Sequence, residues 1–202
     1  MSTHSTRRSH NNFIKKYKTR SGYDREKRAM KVLIDNDVKF VTQFIEYCDQ
    51  SKEIYFEYVH NKGSLEQIIS KCVLNVLLRN KYWDSIQKML RKLHYLNISH
   101  GDFKCKNIIV KNDDTLLLCD FDLANINPNH ENFLDDLTKL KFIYYQLFCV
   151  RKSDIHHWPY NNNNNNFRNG EQIYNEGPNL QKDLNDLCMK NILFQIGPSI
   201  EI

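Results

Sequence analysis

The sequence predicts an α+β fold, one domain in two lobes, with strands gathered in the first third and helices in the remainder. Three patterns predict it. Segments 13–17, 38–48 and 52–59 are rich in β-branched and aromatic residues, and the polar turn DQSK separates the last two. Segments 24–34, 81–96 and 133–148 space their apolar residues at the helical period. Between the last two helical segments, NIIV (107–110) and TLLLCDF (115–121) flank the turn KNDD, which is the pattern of a hairpin. A chain of 202 residues, 41% of them apolar, can bury a sizeable core.

In chain order, residues 1–12 (MSTHSTRRSHNN) are polar and basic and read as a solvated arm. FIKKY (13–17) reads as a short strand; neighbouring strand residues face opposite ways, so only one of Lys15 and Lys16 can point inward. DREKRAMKVLI (24–34) puts Glu26, Met30 and Leu33 on one helix face, which would turn toward the core. The runs 38–48 and 52–59 form an antiparallel pair, and NKGSLEQIIS offers a Gly-Ser start to a further helix. In 81–96, Ile86, Met89, Leu90, Leu93 and Leu96 make a stripe for burial, and FLDDLTKLKFIYYQLF (133–148) is a strongly apolar helix. The six asparagines at 161–166 form a low-complexity loop, and a final helical segment runs from about 180 to 194.

The net charge of +5 is uneven: the first 31 residues hold ten Lys or Arg against two Asp or Glu. A solvated arm accounts for this, and docking of a protein partner or of nucleic acid on the arm stays open, without the aromatic-rich strands that usually accompany nucleic-acid binding. No apolar run approaches the roughly 18 residues of a membrane span, and the first dozen residues lack the apolar centre of a signal peptide. The expected location is therefore intracellular and cytoplasmic. Six cysteines are scattered without a C-x-x-C pair, so they read as reduced, mostly buried thiols rather than a disulfide framework or a zinc site.

Chemistry concentrates in HGDFKCKN (100–107), where Asp102, Lys104 and Asn107 stand at offsets of zero, two and five. Asp120, in CDFDLA, follows eighteen residues after Asp102, across the hairpin. The plain alternative is a polar turn and a strand-end Asp. Two motifs at a fixed separation outweigh it.

At these residues the chain resembles the protein-kinase superfamily, whose catalytic loop reads H-R-D-L-K-x-x-N and whose metal motif reads D-F-G. The resemblance implies a protein-kinase-like two-lobe fold, with a truncated N-lobe over 13–59, three strands and one helix, and a reduced helical C-lobe over 60–202. It implies phosphoryl transfer from ATP with Mg²⁺, a reaction that asks the protein for alignment and charge neutralisation. In that reading Asp102 accepts a hydrogen bond from the attacking hydroxyl, Lys104 steadies the transferring phosphate, and Asn107 and Asp120 hold Mg²⁺. FEYVHNKGSLEQII is similar to the kinase hinge, so backbone groups near Glu57 and Val59 would meet the adenine edge. FIKKY and REKRAMKVL are similar to the strand and helix that carry the phosphate-pairing Lys and its Glu, here Lys15 and Glu26, with Lys15 favoured over Lys16 by register. Asp136, with Leu137 and Leu140, resembles the buried D-L-x-x-L that ties down the catalytic loop, although a helix N-terminal acid is the plain alternative.

Five features depart from the family pattern. No glycine precedes Phe13, so the Gly-rich lid over the phosphates is missing from the expectation. Lys15 and Glu26 are eleven residues apart, which would set Glu26 in the first turn of its helix. Gly101 stands where the family has Arg, and only sixteen residues separate Asp120 from Asp136, with no A-P-E between them. Asp122 replaces the glycine of D-F-G, a position expected to need left-handed backbone at a cost of about 1 kcal/mol for Asp. The expected activity is a minimal Ser/Thr protein kinase acting on a protein substrate. The alternatives are an inactive kinase-like module that docks a protein partner, and a small-molecule or sugar kinase.

Overall fold

A computed structural model describes residues 3–9, 11–71 and 74–148; the Asn run, the segment 180–194 and the pair His156-His157 lie outside the described residues. The chain opens with strand β1 (His4–Ser9), β2 (Asn12–Tyr17), helix α1 (Arg20–Asp35), β3 (Phe44–Cys48) and β4 (Glu53–Glu57). These strands form one sheet in the order β1-β2-β4-β3, antiparallel throughout. The N-lobe sheet thus has four strands where three were expected. The correction comes from the arm: residues 4–9 pair with the whole of β2, from His4 opposite Tyr17 to Ser9 opposite Asn12. An edge strand open to solvent needs no apolar alternation, and Ser5 to Ser9 are all exposed, so HSTRRS carried no strand signal.

Alternation resolves the two lysines. Ile14, Lys15 and Tyr17 of β2 are buried, whereas the Lys16 side chain is 59% exposed and reaches Glu53 at 3.7 Å. Helix α1 starts at the N-cap Thr19, whose side chain accepts from the Gly22 amide at 3.3 Å. It buries Tyr23, Glu26, Ala29, Met30 and Leu33 on one face. Because α1 begins at Arg20, Glu26 falls in its second turn and not in the first. The helix is also pinned to the β3–β4 turn, where Asp49 accepts from Tyr23 at 2.8 Å and from Lys27 at 2.9 Å.

A second sheet carries β5 (Asn61–Ser64), β7 (Ile108–Lys111) and β8 (Leu116–Leu118), in that order. The NKGS stretch is therefore a strand before it becomes a helix start. Helix α2 (Leu65–Lys71) then begins with a reciprocal cap, the Ser64 hydroxyl accepting from the Gln67 amide and the Gln67 side chain accepting from the Ser64 amide. Helix α3 (Val76–Tyr95) is followed by the short β6 (Ile98–Ser99), a single 3-10 turn at Cys105–Asn107, β9 (Asn125–Ile126) paired with β6, and α4 (His130–Phe148). The expected hairpin is β7–β8, closed by the Lys111 amide on the Thr115 carbonyl at 2.9 Å. The Leu118 amide also bonds the Phe40 carbonyl at 2.7 Å, which joins the hairpin to the N-lobe.

The core is one continuous cluster running from Tyr17 and Met30 through Leu90 and Leu93 to Phe148. Helices α3 and α4 meet around Trp83, fully buried and edge-on to Tyr144 at 5.2 Å between ring centroids. Among the described residues no helix is long and apolar enough to cross a membrane. Trp83→Ala, which removes the largest buried side chain of this contact, is expected to lower unfolding free energy by about 3–5 kcal/mol, measured from urea denaturation midpoints.

Candidate active site

The α1, β2 and hairpin placements bring Lys15, Glu26 and Asp120 together although they lie far apart in sequence. The Lys15 ammonium donates to Glu26 Oε2 at 2.5 Å and also to Asp120 Oδ1. Tyr17, on the same face of β2, donates its hydroxyl to Glu26. Burial of Lys15 works against its charge, but Glu26 and then Asp120 more than offset this and hold its pKa above the ordinary lysine value. The ammonium therefore stays charged in a site where a lone lysine would neutralise. Tyr17 is held protonated by burial and by Glu26.

These groups face a cavity of about 230 Å³ lined by His4, Lys15, Glu26, Asn107 and Asp120, and also by Glu57, Tyr58 and Val59. The segment expected to meet a purine edge thus shares one cavity with the expected phosphate and metal residues. Two of its backbone amides are committed elsewhere: Glu57 N–H donates to the Gln43 carbonyl at 2.8 Å and Tyr58 N–H to the Asn11 carbonyl at 2.7 Å. Val59 lends its carbonyl to the Asn61 side chain at 2.7 Å.

Asp102 and Lys104 sit beside this cavity and pair with each other at 2.6 Å. Asn107 connects them to it. Its side-chain amide donates to the Asp102 carbonyl at 2.9 Å and to the Asp102 carboxylate at 3.0 Å, while its backbone carbonyl accepts from the Cys119 amide at 2.9 Å, next to Asp120. The Asn107 amide oxygen and the Asp120 carboxylate are hard oxygen donors on one cavity wall, a donor set suited to Mg²⁺. Cys119 is held as a thiol, its pKa pushed up to about 12 by burial, so the cysteine beside the metal-type residues plays a packing part.

The catalytic-type loop hangs from Asp136. This fully buried carboxylate accepts from the His100 amide at 2.7 Å and from the Gly101 amide at 3.0 Å, with His94 Nε2 at 3.2 Å. The tether, and not the helix-end acid, is what Asp136 forms. Gly101 explains itself in the same place: its φ is +77°, and a Cβ there would stand 2.2 Å from the Leu123 carbonyl oxygen. An Arg could not occupy that position without moving the chain. His100 is fully buried between Phe103 and Phe121. Its Nδ1 accepts from the Asp102 amide at 3.2 Å, so the proton sits on Nε2 and donates to the Cys119 carbonyl at 3.1 Å.

The left-handed residue of the DFD motif is Asp120, at φ 71°, and Asp122 is not among the positive-φ residues. The expected backbone cost at Asp122 does not arise. Its side chain instead accepts from the Thr3 hydroxyl and lies 3.6 Å from His4 Nδ1, while its backbone carbonyl accepts from Arg25 Nε at 2.6 Å. Burial alone would raise this carboxyl, but the nearby His4, the bond from Thr3 and the Lys15 charge lower its pKa to about 2. Thr3, His4, Tyr17 and Arg25 are site residues that sequence patterning missed, since each gains its place from a contact far away along the chain.

Asp136→Ala should destabilise the fold by about 3–5 kcal/mol and abolish hydrogen-exchange protection at the His100 and Gly101 amides, read by native-state exchange. Stability should also fall with acid. Burial pushes the His100 pKa below its usual value, so the unfolded chain takes up a proton near pH 6.5 before the folded chain does. The contribution of neutral His100 is therefore complete above about pH 6.5 and is lost as pH drops through the folded value. A thermal midpoint lower at pH 5.5 than at pH 7.5, with the imidazole proton on Nε2 by NMR at the higher pH, checks this.

Comparison with known proteins agrees with this geometry. Residues 5–145 match the model of the protein kinase domain. Over 103 residues the chain is 28% identical to the 3-deoxy-D-manno-octulosonic acid kinase of Mannheimia succiniciproducens, a match spanning 44% of this chain and 41% of that relative. The family match covers more than half of the chain and includes the catalytic-type loop, the hairpin and the tether, and this protein belongs to the protein kinase domain family.

Proposed function

We propose that the chain is a phosphotransferase that moves the γ-phosphoryl group of ATP to the hydroxyl of a Ser or Thr in a protein. The observation that carries the reading is Lys15 bonded to both Glu26 and Asp120 on the wall of a cavity shared with Asn107 and the 57–59 segment. In this reading backbone groups at Glu57 and Val59 meet the adenine edge, Glu26 orients Lys15 toward the α- and β-phosphates, and Asn107 and Asp120 would hold Mg²⁺. The ion would supply charge neutralisation at the phosphates. Asp102 accepts a hydrogen bond from the incoming hydroxyl and takes its proton late, and Lys104, within 2.6 Å of Asp102, offsets charge on the transferring group.

The acceptor is the finer question. Lys104, two residues after Asp102, favours a protein hydroxyl, because small-molecule kinases of related build often carry another residue there. A sugar acceptor is favoured by the similarity to 3-deoxy-D-manno-octulosonic acid kinase, together with the HGD and DFD forms of the two motifs. A protein that docks on this chain, rather than being phosphorylated by it, is the outcome if no transfer occurs.

The test is transfer of labelled phosphate from ATP with Mg²⁺, offered in parallel to generic protein acceptors and to 3-deoxy-D-manno-octulosonic acid. Asp120→Asn, which tolerates the left-handed backbone but removes the charge, and Lys15→Ala should each lower transfer by about 100-fold or more. Wild type at the level of these variants would sink the enzyme reading.

A further inference from the structure

In β1 the strand register decides where side chains go. His4 lies opposite Tyr17 and Thr6 opposite Lys15, so the His4 side chain shares the face of β2 that carries Tyr17 and Lys15. The His4 and Tyr17 ring centroids are 6.0 Å apart. The imidazole lines the cavity, with Nδ1 3.9 Å from Asp120 Oδ1 and 3.6 Å from Asp122 Oδ2. It therefore stands at the end of the cavity marked by Lys15 and Asp120, not at the end marked by Glu57 to Val59.

That end has an electrostatic shortfall. Glu26, Asp120 and Asp122 bring three carboxylates together, and Lys15, spent on two of them, is the buried ammonium among them. A nucleotide polyphosphate at this end needs donors besides Lys15, and His4 is a side chain that β1 places at this end, beside Asp120. Two contacts fix it in place: the Thr3 hydroxyl donates to Asp122, and the Lys18 amide donates to the Thr3 carbonyl at 3.0 Å. Asp122 is itself held, its carbonyl bonded by Arg25 of α1.

Building on the phosphotransferase reading above, we propose that His4 is a nucleotide-contacting residue whose Nε2–H donates to a phosphate oxygen of ATP, while Nδ1 faces Asp122 and Thr3, which position the ring. Strand β1 then brings a side chain to the phosphates. Asp122 is the positioning residue, and its carboxylate has a reason to stand in place of glycine.

Isothermal titration of the full chain with Mg-ATP, and separately with adenosine, tests this. His4→Ala should weaken Mg-ATP by about tenfold, the scale of one hydrogen bond to a charged group, and leave adenosine unchanged. His4→Gln, which restores an N–H donor at similar reach, should recover most of the loss. Asp122→Asn should give an intermediate loss for Mg-ATP alone. His4→Ala binding Mg-ATP as wild type does, or losing Mg-ATP and adenosine equally, would overturn the role of His4 while leaving the phosphotransferase reading in place. Failure of wild type to bind Mg-ATP at all would overturn both.

Discussion

One buried cation holds this molecule's site together. The Lys15 ammonium joins a carboxylate from α1 to a carboxylate from the segment after β8, and so ties the N-lobe sheet, its helix and the hairpin at a single point. Taking an ammonium out of water is expensive, and two anions with good geometry are what make it tolerable. The arrangement is of a kind that stores function more than stability, since apolar residues of the same volume would fold as well or better. Its place on the wall of a cavity, with open space beside the charged groups, is the physical basis for proposing a polyphosphate ligand there.

A second constraint sets the geometry of the catalytic-type loop. Asp136 anchors two successive backbone amides of the loop, and Gly101 allows the Leu123 carbonyl to press against that loop at a distance no Cβ permits. His100, neutral and buried, links the loop to the segment after β8, at the Cys119 carbonyl beside Asp120. Asp102, Asn107 and Asp120 are therefore placed by rigid neighbours and not by their own flexible side chains. The family's Arg at position 101 is absent here, and packing alone accounts for the glycine.

Much of this was legible in the chain because the relevant residues are close together in sequence or sit on a periodic element. HGDFKCKN and the DFD motif flank a single hairpin, and the separation of Lys15 from Lys16 follows from strand alternation alone. Helix α1 revealed its inner face through Glu26, Met30 and Leu33. The features that were not legible share one physical cause. Strand β1 is an exposed edge whose polar residues obey no burial pattern, and its pairing with β2 depends on backbone hydrogen bonds that leave no mark on side-chain choice. The Thr3–Asp122 bond spans 119 residues of chain and the Arg25–Asp122 bond spans 97, beyond what local patterning can join. The D-F-G pattern points to left-handed backbone at Asp122, which replaces the glycine, whereas the left-handed residue is Asp120, two positions earlier, whose carboxylate bonds Lys15.

The central claim is that the Lys15, Asn107 and Asp120 wall receives a metal-bound nucleotide. A crystal structure with a non-hydrolysable ATP analogue and Mn²⁺, the ion located by its anomalous signal, measures this directly. The account predicts the ion bound by the Asn107 amide oxygen and an Asp120 carboxylate oxygen, with Lys15 on the phosphates and the base against residues 57–59. An ion or nucleotide bound elsewhere, with Lys15 still locked between Glu26 and Asp120 over an empty cavity, would contradict it.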